Sequence, residues 1–152
     1  MYKNKQQRAL HVVDVENEIM SGTFGVTDVV RLHTAWDATV PVGETDQFYL
    51  ASGTRTKEAL AFGWQNARIA FRPGKDGADD ALVEYLDIAY VARQFTHVYI
   101  GSGDHKLQPS AKALIEAGVT VIVVGRRKAI HHSFYTIPVQ IVYLDEGWDL
   151  AA

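Results

Sequence analysis

Short apolar runs rich in Val, Ile, Leu and aromatic residues recur along this chain, each breaking off at a small, polar or acidic residue, with segments of helical periodicity between them. That alternation restricts the fold more than any other feature. An apolar run with few polar interruptions suits a strand buried on both faces, and strands separated by helices pair in parallel because the helix carries the chain back. Residues 10–15 read as a first strand, 46–51 as a second, and 67–71 as a third closed by Pro73-Gly74. Residues 97–100, 119–124 and 139–144 read as the remaining three. Between them, the spacing of Val29, Val30, Leu32, His33 and Trp36 predicts a helix over 27–36, and 56–63 reads as a shorter one. The stripe Leu82, Leu86, Ala89, Tyr90 and Phe95 predicts a single long helix over 78–95, with Asp79 and Asp80 favouring its positive N-terminus. Pro109 and Gly118 bracket a further helix, and 128–134 reads as a short one. The expected fold is α/β: a doubly wound, Rossmann-like, mostly parallel sheet with helices on both faces.

At 152 residues, with no repeat and no linker, the chain reads as one domain over 10–145, a polar segment 1–9 before it and a tail 146–152 after it. Cysteine is absent, which removes disulfides and thiolate metal sites and fits a reducing cytoplasm. The first eight residues lack the apolar core of a signal peptide, and no run approaches bilayer length, so the expectation is a soluble cytoplasmic protein with no membrane partner. Net charge is −3, so the molecule as a whole does not attract phosphate backbones. Nucleic-acid binding therefore requires a local patch. Arg126-Arg127-Lys128, followed by His131 and His132, is the candidate, with Arg68, Arg72 and Lys75 as contributors. The plainer reading of three adjacent basic residues is a solvated surface.

Acidic residues fall where such a sheet places its ligands, beyond the carboxyl ends of the strands. Asp14 ends the first strand, Asp104 follows the fourth through Gly101-Ser102-Gly103, and Asp79 and Asp80 open the long helix. Two carboxylates about 4 Å apart repel by roughly 4 kcal/mol at an effective dielectric of 20. A hard divalent cation with oxygen ligands relieves that repulsion, polarises a phosphoryl oxygen and activates water. Each acid also has a structural role open to it: Asp14 as a turn cap, Asp79 or Asp80 as a helix cap, Asp104 as a brace for the glycine loop. That loop lacks the Lys-Ser/Thr ending of a nucleotide phosphate loop. His131 and His132 read as surface residues before they read as proton carriers. Trp36 and Trp64 fall on the apolar side of helical patterns and read as core.

Val13-Asp14-Val15-Glu16-Asn17, then Lys75 through Asp79-Asp80-Ala81-Leu82, then Ile100-Gly101-Ser102-Gly103-Asp104, then Ala117 to Gly125 resemble the NYN domain, a branch of the PIN-like ribonuclease superfamily. The motifs stand in the family's order and span most of the chain. The resemblance implies a metal-dependent RNA endonuclease using Mg2+ or Mn2+, with Asp14, Asp79 and Asp104 as metal-binding carboxylates and Asn17 orienting water or substrate. Asp79 suits the helix-start role by its spacing from Lys75, with Asp80 competing for it. Glu16 adjoins the site, although alternation along a strand would turn it away. Ser102, Lys106, Arg126 and Arg127 are expected to contact substrate. RNA is the implied partner, and a homo-oligomer or protein partner is left open. One departure stands out: where the family carries an Asp two residues beyond the Ser-Gly-Asp aspartate, this chain has Lys106. An ammonium there either weakens binding of a second metal, leaving a one-metal site in a slow or inactive RNA- or protein-binding relative, or holds a substrate phosphate as a point charge. A receiver-like signalling domain fits less well, because the third strand ends in Phe71-Arg72-Pro73 with no Asp.

Overall fold

The computed structural model describes residues 7–53, 57–74 and 77–152. Within these residues six strands, β1 (Ala9–Asp14), β2 (Gln47–Ser52), β3 (Arg68–Phe71), β4 (His97–Gly101), β5 (Thr120–Gly125) and β6 (Gln140–Tyr143), form one sheet in the order β3-β2-β1-β4-β5-β6. Every pairing is parallel. Among the described residues, seven helices accompany them: α1 (Val15–Ile19), α2 (Val26–Thr39), α3 (Lys57–Gly63), α4 (Gly77–Tyr85), α5 (Ile88–Gln94), α6 (Gln108–Glu116) and α7 (Asp145–Leu150).

Side-chain alternation along the central strands feeds two separate cores. Leu10, Val12, Val98, Ile100, Val121 and Val123 pack with Leu82, Val91 and Leu114 on one face. Val13, Tyr99, Ile122 and Val124 pack with Trp36, Leu60, Trp64 and Trp148 on the other. A sheet apolar on both sides must be covered on both sides, and the period of two assigns each residue to its layer. Trp36 and Trp64 are thus core residues, as their spacing predicts. The indole of Trp36 donates to Nδ1 of buried His11 at 3.1 Å, and His11 Nε2 donates to Asp46 at 2.8 Å.

The chain winds outward from β1 to β3, then returns to lay β4 along the opposite side of β1, so strand order reverses between β1 and β4. Val13 pairs with Gly101, which brings Asp14 level with the loop after β4. This reversal is where ligands of such sheets bind.

Several elements depart from expectation. Val15 belongs to a helix, because the Asp14 carboxylate caps α1 by accepting from the Asn17 N–H. Glu16 is therefore not on a strand, and its carboxylate accepts from Ser52 Oγ and the Gly53 N–H, tying α1 to the end of β2. The long helix is two helices, because Asp87 caps a new start by accepting from the Tyr90 N–H. The region 128–134 contains two 3-10 turns, Arg127–Ala129 and His132–Thr136. The C-terminal segment is not a loose tail: α7 packs against α2, with Trp148 buried beneath the Arg31 guanidinium, 4.1 Å from the ring centre. Lys75, Thr56 and residues 1–6 lie outside the described residues. Among the described residues no helix is long and apolar enough to cross a membrane.

Candidate functional site

At the reversal point a cleft of about 400 Å3 opens, lined by Asp14, Asn17, Asp79 and Asp104 together with Glu16 and Ala129. Three separate elements deliver the acids. Asp14 ends β1, Asp104 caps the 3-10 turn His105–Leu107 by accepting from the Lys106 N–H at 2.9 Å, and Asp79 lies in the first turn of α4. Glycine makes two of the approaches feasible. A Cβ at Gly77 would lie 1.9 Å from the Arg72 carbonyl oxygen, and one at Gly103 would lie 2.1 Å from that of Ala129. Only glycine lets these backbones meet.

The structural roles weighed for Asp14 and Asp104 are both realised, yet neither removes the residue from the cleft. Asn17 links the two segments, since its side-chain oxygen accepts from the Gly103 N–H at 3.1 Å while its own N–H donates to Asp14. Asp79 stands in contact with both other acids and is buried, at 6% exposure, with Oδ1 lacking any hydrogen-bond partner. Burial first, then hydrogen-bonding contact with Asp79 and the charge of Asp79, hold the Asp14 carboxyl well above the usual carboxylate range. Asp79 is also raised, chiefly by burial and further by Asp104, against lowering contributions from Asp14 and the Lys106 ammonium. The pair titrates as a unit and retains protons that an isolated aspartate would release.

Among the described residues no three His, Asp or Glu side chains form a ready-made metal cage. Contacts run from Asp14 to Asp79 and from Asp79 to Asp104, with Asp79 between. The donors are nonetheless all oxygens, and one is buried without a donor. Oxygen donors are the ligand type that hard divalent cations take.

Other expected contacts lie elsewhere. Asp80 is exposed and faces Lys106, whose Nζ is 4.0 Å from Oδ1, so Asp79 is the helix-start acid within the cleft. Ser102 is fully buried, and its hydroxyl accepts from the Asp104 N–H at 3.1 Å, so it shapes the loop and is closed to substrate. Arg126 is buried as well. Its Nε donates to Asp145 at 3.0 Å, its Nη1 donates to the Glu18 carbonyl at 3.1 Å, and its guanidinium lies 5.2 Å from the Trp148 ring centre. It anchors α7 and α1 and is closed to RNA. Arg127 is exposed, stacked 3.9 Å from the Tyr143 ring centre. Arg72 pairs with Glu84 at 2.6 Å, and Arg68 begins β3 at the opposite end of the sheet from the acids. Sequence reasoning missed Glu18, fully buried with both carboxylate oxygens lacking hydrogen-bond partners and its carboxyl driven upward by burial. A charged residue one helical turn after Asp14 offers no periodic signal of burial in a helix of five residues.

Among solved structures, the MAR1 ribonuclease from Caenorhabditis elegans is similar, at 16% identity and a TM-score of 0.41, over 100% of this chain and 77% of that one. A likeness at this level carries no argument about chemistry. No protein-family model and no curated protein matches the chain.

Proposed function

We propose that this cleft hydrolyses phosphodiester bonds of RNA, as an endonuclease of the NYN type working with Mg2+ or Mn2+. One observation carries the reading: Asp79, buried with an unpartnered oxygen, touches Asp14 and Asp104 at the strand-order reversal. Such a cluster is costly to an empty fold and useful to one that binds a cation. A cation held there would supply the positive charge that polarises a phosphoryl oxygen and activates water near neutral pH. Asp14, Asp79 and Asp104 hold it, and Asn17 fixes the spacing of the β1 and β4 ends through its bond to Gly103.

The test is cleavage of single-stranded RNA by the full chain in Mn2+. Asp14→Asn and Asp104→Asn each reduce cleavage to background, as does removing the metal with EDTA. Asn preserves the capping oxygen at both positions, so circular dichroism remains that of the wild type. Wild-type rates in either variant overturn the assignment. Asp80→Asn costs less than Asp79→Asn.

The Lys106 ammonium beside Asp79 and Asp80 favours a second reading, a weakened relative that binds RNA or a protein and cleaves slowly if at all. Lys106→Asp separates the two. Faster cleavage at limiting Mn2+ marks a weakened site, whereas slower cleavage with undiminished metal binding makes Lys106 a phosphate ligand.

A further inference from the structure

Past Asp104 the acid cleft continues into a second depression of about 290 Å3, which shares Asn17, Asp104 and Ala129 with it. The chemistry changes along the way. Lys128, His105 and His131 line the far part, so hydrogen-bond donors replace carboxylates. Its floor is preformed: the His131 N–H donates to the Gly103 carbonyl at 2.8 Å, and Gly103 packs directly against Ala129. The His131 ring is oriented too. The Ser133 N–H donates to Nδ1 at 3.2 Å and Ser133 Oγ lies 2.9 Å from the same nitrogen, so Nδ1 accepts and the ring hydrogen resides on Nε2. Two further imidazoles adjoin, His132 at 4.1 Å and His105 at 5.3 Å between ring centres.

We propose that this groove seats an RNA phosphate neighbouring the scissile one, gripped by the Lys128 ammonium and the His131 Nε2–H, while the exposed rings of His105 and His132 stack against unpaired bases. The proposal rests on the ribonuclease reading, which places the scissile phosphate at the adjoining acids. It distinguishes Lys128 from its neighbours in the basic run, since Arg126 is buried and Arg127 lies over Tyr143.

The experiment measures binding of a fluorescein-labelled single-stranded RNA to the full chain in EDTA, where metal-dependent cleavage is blocked. Lys128→Gln and His131→Leu each weaken binding about 3–10-fold, the net worth of one typical hydrogen bond in a solvent-exposed groove. Lys128→Gln also reduces the slope of log affinity against log salt by about 0.7, and Lys128→Arg restores it. Lys128 is exposed, so Lys128→Gln melts at the wild-type temperature; His131 is half-buried and caps the following turn, so His131→Leu melts lower and its binding is measured well below that transition. Affinities within twofold of the wild type for both variants overturn the proposal, as does a wild type that binds no RNA. Asp14→Asn provides the separate control: it binds RNA in EDTA at least as tightly as the wild type and loses cleavage in Mn2+. Groove variants that weaken binding in a protein that never cleaves leave the groove standing and overturn the nuclease reading.

Discussion

Asp79 shows how one side chain acquires both a cost and a use. Its carboxyl is buried, has an oxygen without a donor and faces two other acids, so its folded-state pKa lies above the unfolded value. Between those two values the native state binds more protons than the unfolded state, and stability therefore falls as pH rises. The favourable contribution is complete below the unfolded value of about 3.9 and is lost as pH climbs through the folded one. Asp79→Asn removes this titration while supplying an amide that can donate to Asp14. In metal-free buffer the variant is expected to be more stable than the wild type by about 1 kcal/mol at pH 8, with a smaller gain at pH 4, while cleavage is lost. Melting curves at the two pH values check this; a variant less stable at pH 8 contradicts it. The same protons compete with metal, so cleavage should rise with pH and its midpoint move lower as Mn2+ is increased.

Elements from distant parts of the sequence converge on Arg126, which joins the end of β5 to α1 and α7. Removing the guanidinium leaves Asp145 without its charged donor and the Glu18 carbonyl without a partner. Arg126→Ala is expected to lower stability by about 2–3 kcal/mol in urea unfolding, with no change in the salt dependence of RNA binding. A flattened salt dependence in a stable variant returns Arg126 to the RNA surface. Its role was hidden because adjacent basic residues look like a patch, whereas its partners lie 19 and 108 residues away. Local signals carried the strands well, since a buried parallel strand declares itself within a few residues. They failed where a polar side chain terminates or starts an element. Asp87 interrupts an otherwise continuous apolar stripe, and Asp14 starts a helix that alternation made look like strand. Trp148, the large buried side chain of α7, has no periodic context in a six-residue helix. Asp14, Asp79 and Asp104 were legible because each follows or opens a recognisable element. Their order of contact required the β1–β4 adjacency that only the sheet supplies.

At the scale of the molecule, a net charge of −3 and an acidic cleft repel an RNA strand, so the proposed function requires a cation bound in the cleft and donors along its extension to offset that repulsion. The doubly wound sheet brings the two together by reversing strand order beside Asp14. The Glu16 and Asn17 contacts then fix the loops around the opening. The proposed hydrolysis requires the acids to bind a cation as a group. The most direct measurement is anomalous diffraction from crystals of the wild-type protein soaked in Mn2+ above neutral pH. A peak is expected within coordination distance of an Asp79 oxygen and of Asp14 or Asp104, absent from Asp79→Asn crystals treated identically. A cleft without a peak, or a peak that persists in Asp79→Asn, contradicts the proposal.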